Sequence, residues 1–423
     1  MKPYRVSRFI LLIVIFSLIT SIIVGCTNIN NKFNTETVSD DKALSINSFL
    51  EKNSSSVDLK DGSLTGLSIF DNDIDKYDVF LAGESHAIAK NYDIQLALLK
   101  YFNQKADVRY LLGEMGYSKS AFINEYMETG NEELLELIYR NLKGTASWNK
   151  ESYEFWKKLR KYNMTLPENK KIKVIGIDIE HQVKTALIYL YSIIPNREIP
   201  ESIKPTIERF KNSKNNIKNK DELRKLIHLL RDDMKNNEII YKEYFGDKFF
   251  DFSIVVDNIE NSINAYEADF DIIREQSIYD NFKRVYNQLP KGKYFGQWGL
   301  EHVYQRLCHS YMDEKDRFAM YLNRDDSPVK DKVLSIAYGY INCFRMTWGK
   351  KYGVKRNVSA IKDIGILNRF AKTDITIFRL IGTDSPFNKK LYFVKKPIGG
   401  VTTDYFQYVI LIKDSKGTTP FDE

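Results

Sequence analysis

Residues 78–86 read D-V-F-L-A-G-E-S-H, and their interpretation decides the fold. Val79 to Ala82 form a short apolar run of the kind found in strands buried on both faces. Gly83 is where the backbone is expected to turn. Glu84, Ser85 and His86 follow at once, and Tyr92 to Leu99 show helical spacing. A strand ending in a carboxylate and an imidazole, with a helix behind it, is how an open α/β sheet presents reactive groups. The plainer reading is a helix start, with Ser85 as N-cap and Glu84 complementing the dipole.

The pattern recurs downstream. Arg109–Leu112 runs into Gly113-Glu114-Met115, Ile172–Ile177 into Asp178-Ile179-Glu180-His181, and Lys293–Phe295 into Gly296-Gln297-Trp298-Gly299-Leu300-Glu301-His302. The first two strands lie roughly 25 residues apart, enough for a right-handed βαβ crossover. Further strands are expected at Val333–Tyr338, Ile375–Leu380 and Tyr408–Ile412, and helices at Ala89–Asn103, Ser118–Leu142 and Tyr153–Tyr162. Residues 182–289 change character: Lys, Glu, Asp and Asn dominate, and Leu223, Leu226, Ile227 and Leu230 fall at helical spacing. The expected fold class is α/β, a mostly parallel sheet flanked by helices, with a large helical insertion over about 182–289.

Parallel strands set their carboxyl ends side by side, so Glu84, His86, Glu114, Asp178, His181, Glu301 and His302 are expected to converge on one crevice. Three of the five histidines sit in these turns. His309 lies two helical turns beyond His302, and His228 falls in the insertion, where a structural role is expected. His86, read as opening a helix, feels the positive end of the dipole and is expected to stay neutral. A neutral imidazole takes a proton from water. Glu84 or Glu114 would fix its tautomer and stabilise the imidazolium. His302 would protonate a leaving alkoxide or hold an oxyanion. No G-x-S-x-G elbow is present and neither Cys308 nor Cys343 has a nucleophile's setting, which argues against an acyl-enzyme. Arg274 either holds a substrate carboxylate or is a solvated helix-face charge. Asp178, His181 and Trp298 complete the candidate substrate contacts. Two histidines and two glutamates also suffice for zinc, but there is no H-E-x-x-H and no cysteine ligand set, and no metal is expected.

The first 25 residues stand apart. Lys2, Arg5 and Arg8 precede an apolar run, Phe9–Val24, that is short for a spanning helix. Ile23-Val24-Gly25-Cys26 then reads as a bacterial lipobox, with cleavage before Cys26 and lipid (palmitate) attached there. An uncleaved signal anchor is the other reading; either holds the body at the cell membrane, outside the cytoplasm. Thr27–Ser63 is polar and reads as a flexible tether with one short helix near Ala43–Glu51, so the folded domain is expected over 64–423. Removing the leader takes away three positive charges and no negative one, so +7 becomes +4. That excess forms no Lys/Arg block with interleaved aromatics, and nucleic acid is not an expected partner. Cys308 and Cys343 lack framework spacing and read as buried thiols.

Gly83-Glu84-Ser85-His86 after a strand, the strand-end Glu114 and Gly299-x-x-His302 together resemble the erythromycin esterase family. They also resemble its wider relatives, the ChaN-type haem-binding lipoproteins and the TIKI-type metalloproteases. The helical insertion, R-E-x-x-x-x-x-N at Arg274–Asn281, and Asp404-Tyr405-Phe406 with the later Pro420 favour the esterase branch. The resemblance spans about residues 70–420. It implies hydrolysis of an ester, in that family a macrolide lactone, by water activated without an obligatory metal. The catalytic histidine maps to His86, its supporting acids to Glu84 and Glu114, and the late histidine to His302. Two departures stand out. Glu84 and His86 are one residue closer than the esterases' Glu-x-x-His, as in a ChaN-type Gly-Glu-x-His. The Gly296–Gly299 stretch replaces the second late histidine of an A-H-N-x-H arrangement. The expected function is a membrane-anchored hydrolase of a small-molecule carboxylic ester or lactone, with no cofactor. The alternative is a surface lipoprotein binding haem or a divalent metal through His86, His302 and the glutamates.

Overall fold

The structure, a computed structural model, describes residues 40–59, 63–214, 216, 217, 219–309 and 315–422. The leader, Cys26 and the first part of the tether lie outside the described residues. The chain divides into Met1–Ser45 and Ile46–Glu423, and the larger unit holds the sheet. The short helix expected near Ala43–Glu51 is α1 (Asp40–Lys52), with Ile46 and Leu50 buried.

Eight strands build that sheet: β1 (Ser54–Ser56), β2 (Val79–Glu84), β3 (Val108–Gly116), β4 (Lys173–Asp178), β5 (Lys293–Gly299), β6 (Val333–Ile341), β9 (Ile375–Arg379) and β10 (Tyr408–Lys413). A separate hairpin, β7 (Phe344–Thr347) and β8 (Gly353–Arg356), follows β6. The order is β1-β9-β10-β6-β2-β5-β3-β4. The six strands from β10 to β4 pair in parallel, and β9 and β1 run antiparallel at one edge. The fold class expected from the sequence is the one observed. Val79 to Gly83 are all buried, which is why β2 reads as a continuous apolar run rather than an alternating one.

Helices flank the sheet. α2 (Lys90–Ala106) crosses between β2 and β3; α3 (Tyr117–Thr129), α4 (Glu132–Asn141) and α5 (Lys150–Asn163) lie between β3 and β4. The single helical stretch expected over Ser118–Leu142 is therefore two helices. Gly130 closes the first, and Asn131 caps the second by accepting the Glu133 N–H. The 182–289 insertion is helical as expected: α6 (Val183–Ser192), α7 (Lys204–Asn212), α8 (Lys220–Asn236), α9 (Glu238–Phe245), α10 (Phe249–Ala265) and α11 (Phe270–Gln288). α11 packs on α10 and on β4, which brings Arg274 to the sheet's carboxyl edge. Among the described residues no helix is long and apolar enough to cross a membrane.

Two local expectations around residue 83 are overturned. Gly83 does not turn: it stays in β2, where a Cβ would meet Val303 Cγ2 at 2.4 Å, so its role is to let the 300–303 turn close on the strand. Ser85 is not a cap either. α2 starts at Lys90, and its N-cap, Ala89, makes no side-chain cap bond. The chain is diverted first by Ala87, held left-handed at φ +65° while its carbonyl accepts the Met346 and Thr418 N–H groups.

Candidate active site

Since β2, β5, β3 and β4 are consecutive neighbours in the sheet, their carboxyl ends converge. Glu84, His86, Glu114, Asp178, His181 and Arg274 line one cleft of about 500 Å³. His302 lies against the same group, and with Glu84 and His86 it also lines a second hollow of about 800 Å³ that His309 borders.

His86 Nδ1 stands 2.8 Å from Glu84 Oε1. A carboxylate accepts, so Nδ1 carries the proton and Nε2 is left free. The other Glu84 oxygen accepts from Asn91 at 2.5 Å and Gln297 at 3.1 Å. Tyr340 donates to the Asn91 amide oxygen and accepts the Ser85 N–H, while Tyr338 donates to Gln297. Glu84 is thus fixed from three sides, and it fixes His86. The His86 ring lies deep in the protein yet stays 39 % exposed through the cleft. Burial pulls its pKa down, but the Glu114 charge and the Glu84 hydrogen bond outweigh it, so the ring is more basic than an ordinary imidazole. The expectation of a neutral ring set by a helix dipole is corrected: the helix begins four residues later, and two carboxylates act in its place.

His302 is nearly enclosed. Its Nε2 lies 3.4 Å from both Glu114 Oε1 and Arg274 Nη1. Its Nδ1 makes a 2.7 Å ion-pair contact with Glu275 Oε1 without an aligned hydrogen bond. Burial opposes the charge, but Glu275 and Glu114 push its pKa up to about 10, so His302 is a cation at neutral pH. The two rings face across Gly299. A Cβ there would stand 3.3 Å from His86 Nε2 and 3.5 Å from His302 Cδ2, and the Gly299 N–H donates to Glu114 Oε2 at 2.9 Å.

Arg274 holds this wall together. Its Nε and Nη2 reach both Asp178 oxygens at 2.6–3.1 Å, and Nη2 reaches Glu114 Oε1 at 2.9 Å. Arg274 faces the cleft rather than solvent, and the carboxylates it holds here are the protein's own. Burial alone would raise Asp178 and Glu114, but Arg274 and His181 hold Asp178 far below the carboxylate range, while His302, His86 and Arg274 do so for Glu114. Asp178 is therefore a carboxylate held by Arg274 and His181 at the wall of the cleft. His181 lies beside it at 3.2 Å, bonded also to the Tyr266 hydroxyl, and lines the cleft. Trp298 does not line it. The indole is fully buried, stacked on Phe318, and donates to the Leu112 carbonyl, so its assignment as a substrate contact is corrected to a core residue. Glu301 does not line this cleft; it pairs with Arg317 and lines the second hollow with Glu84, His86 and His302. His228 lies exposed beside Asp232 and Glu260. Cys308 and Cys343 are buried free thiols.

The sequence pattern did not single out Asn91, Gln297, Tyr340 or Lys119. Among the described residues no group of three His, Cys, Asp or Glu side chains is arranged to hold a metal ion. The donors fit a metal poorly, since both oxygens of Glu84 and of Glu114 are engaged within the protein. They fit bis-histidine haem ligation no better, because His302 is enclosed by Glu114, Glu275 and Arg274.

The fold is an α/β architecture, a mostly parallel sheet with its strand-end cleft, that other solved structures share. One is a Bacillus cereus protein at 16 % identity and TM-score 0.65, covering 89 % of this chain and 99 % of its own. Another is described as a succinoglycan biosynthesis protein, at 14 % identity and TM-score 0.66, covering 90 % and 99 %. The third is a histidine variant of the erythromycin esterase EreC in its open conformation, at 14 % identity and TM-score 0.63, covering 87 % and 97 %. No protein-family model and no curated protein sequence matches the chain.

Proposed function

We propose that this cleft hydrolyses a carboxylic ester or lactone of a small molecule with water activated at His86. The observation that carries the reading is the Glu84–His86 pair set across Gly299 from a cationic His302. Deprotonated His86 Nε2 takes a proton from water as the oxygen attacks the carbonyl carbon, and Glu84 stabilises the imidazolium that forms. The developing oxyanion meets the positive charge of His302. Collapse breaks the acyl–oxygen bond, and the proton on His86 passes to the departing alkoxide, giving an acid and an alcohol. No cofactor is assigned to these steps. The similarity to an erythromycin esterase supports the reaction class, and the departures at Glu84–His86 and Gly296–Gly299 favour a substrate other than a macrolide.

The test is a panel of aryl, alkyl and macrolide esters, assayed with and without chelator, alongside haem titration followed by absorbance. Chelator-independent cleavage supports the proposal. A Soret band that is lost in H86A, with no cleavage of any ester, replaces it with haem binding. The reading includes a lipid anchor on Cys26, supported by the basic and apolar leader that precedes it. Cys26→Ala should release the protein from membrane fractions.

A further inference from the structure

We infer that the ester bound here carries a second, anionic group, a carboxylate or phosphate, which seats on the Lys119 ammonium. The word ester rests on the proposed hydrolysis; the anion site rests on separate observations. Lys119 lies in the first turn of α3 and lines the same cleft as Glu84, His86 and Glu114. The residue is only 8 % exposed. No hydrogen bond or ion pair engages its ammonium among the described residues.

Buried lysines are ordinarily paired or led out to water along their stems. The other buried cations of this wall obey that rule: Arg274 has Asp178 and Glu114, His302 has Glu275 and Glu114, and Arg317 has Glu275 and Glu301. Lys119 has no such partner. Its position makes this worse, because the start of a 13-residue helix carries the positive end of the dipole. Glu180, which meets the preceding residue, gives its two oxygens to the Ser118 N–H and hydroxyl. Burial alone lowers the Lys119 pKa, to about 8, so the group is still charged at pH 7. An uncompensated cation held at a helix start, inside a cleft that also holds a candidate catalytic pair, is a receptor for an anion.

The experiment titrates succinate and inorganic phosphate calorimetrically into the intact protein and its Lys119→Met and His86→Ala variants. It also measures KM for 4-nitrophenyl butyrate and mono-4-nitrophenyl succinate. Wild type and H86A should bind one of the two anions, and K119M should bind it at least about tenfold more weakly. The KM of K119M should rise at least about tenfold more for the charged ester than for the neutral one. Its melting temperature should rise, since a lone buried charge has been replaced by an apolar chain, which separates lost binding from misfolding. Equal anion affinity in wild type and K119M, or no binding of either anion by wild type, overturns the inference. Anion binding through Lys119 without cleavage of either ester upholds the site and removes the hydrolase reading. Cleavage of both esters with the same KM ratio in wild type and K119M removes the site and leaves that reading standing.

Discussion

Replacing Arg274 by Met keeps most of the side chain's length and deletes the charge that two buried carboxylates share. Asp178 is fully buried and Glu114 partly so, and Arg274 reaches them at 2.6 and 2.9 Å. Removing one partner of a buried ion pair costs about 3–5 kcal/mol, chiefly because the other charge is left uncompensated. A unit of this size has an unfolding entropy of about 0.8 kcal/mol per degree, so the melting temperature should fall by about 4–6 °C. The pH dependence follows from the sign of the shift. In the wild type, burial acts against the Asp178 charge but Arg274 and His181 win, so its pKa is strongly depressed. Its contribution is then present above the unfolded value of about 3.9 and is lost only in strong acid. Without Arg274, burial loses its main counterweight and the folded pKa rises, so the ionised carboxylate becomes a penalty that protonation relieves. Calorimetric melts at pH 8, 6.5 and 5 should show the gap between R274M and wild type narrowing as pH falls. A loss under about 1 °C, or a gap constant across that range, would refute the argument.

Glu84→Gln removes the carboxylate that orients His86 and one of the two that raise it. The acid limb of kcat/KM should move to lower pH and the plateau should fall by about 100-fold or more. His302 is raised to about 10, so its stabilising share is complete below its unfolded value of about 6.5 and is lost as pH rises through about 10. The wild-type melting temperature should therefore drop between pH 7 and 10, and H302Q should flatten that drop. Gly299→Ala places a Cβ 3.3 Å from His86 Nε2, tight enough to move the ring by tenths of an ångström. Turnover should fall at least about tenfold while the melting temperature shifts by less than about 2 °C.

The strand cores were legible because β2, β4 and β6 are buried on both faces, which writes an unbroken apolar run into the sequence. The carboxyl-end residues of β2 and β4 were legible for the same reason, since each of those runs stops where the chemistry starts. The order of the strands was not. That β5 lies between β2 and β3, and so sets Gly299 between His86 and Glu114, depends on pairings more than 180 residues apart. The β7–β8 hairpin was missed because its strands are short and mostly exposed, with no apolar face to set a period. Asn91, Gln297 and Tyr340 look like ordinary polar residues within apolar elements; only the folded geometry makes them the clamp on Glu84. Arg274 sits on a helix whose periodicity fits either a solvated or an inward face. Trp298 was misassigned because a strand's residues alternate sides, and its ring points away from the crevice, into the core.

Ester turnover by the wild type and by His86→Ala, each with a thermal melt, tests the central claim most directly. The wild type should cleave 4-nitrophenyl butyrate above the buffer rate. H86A should lose at least about 100-fold in kcat/KM while still unfolding cooperatively. An H86A protein that hydrolyses the ester at the wild-type rate would contradict the account.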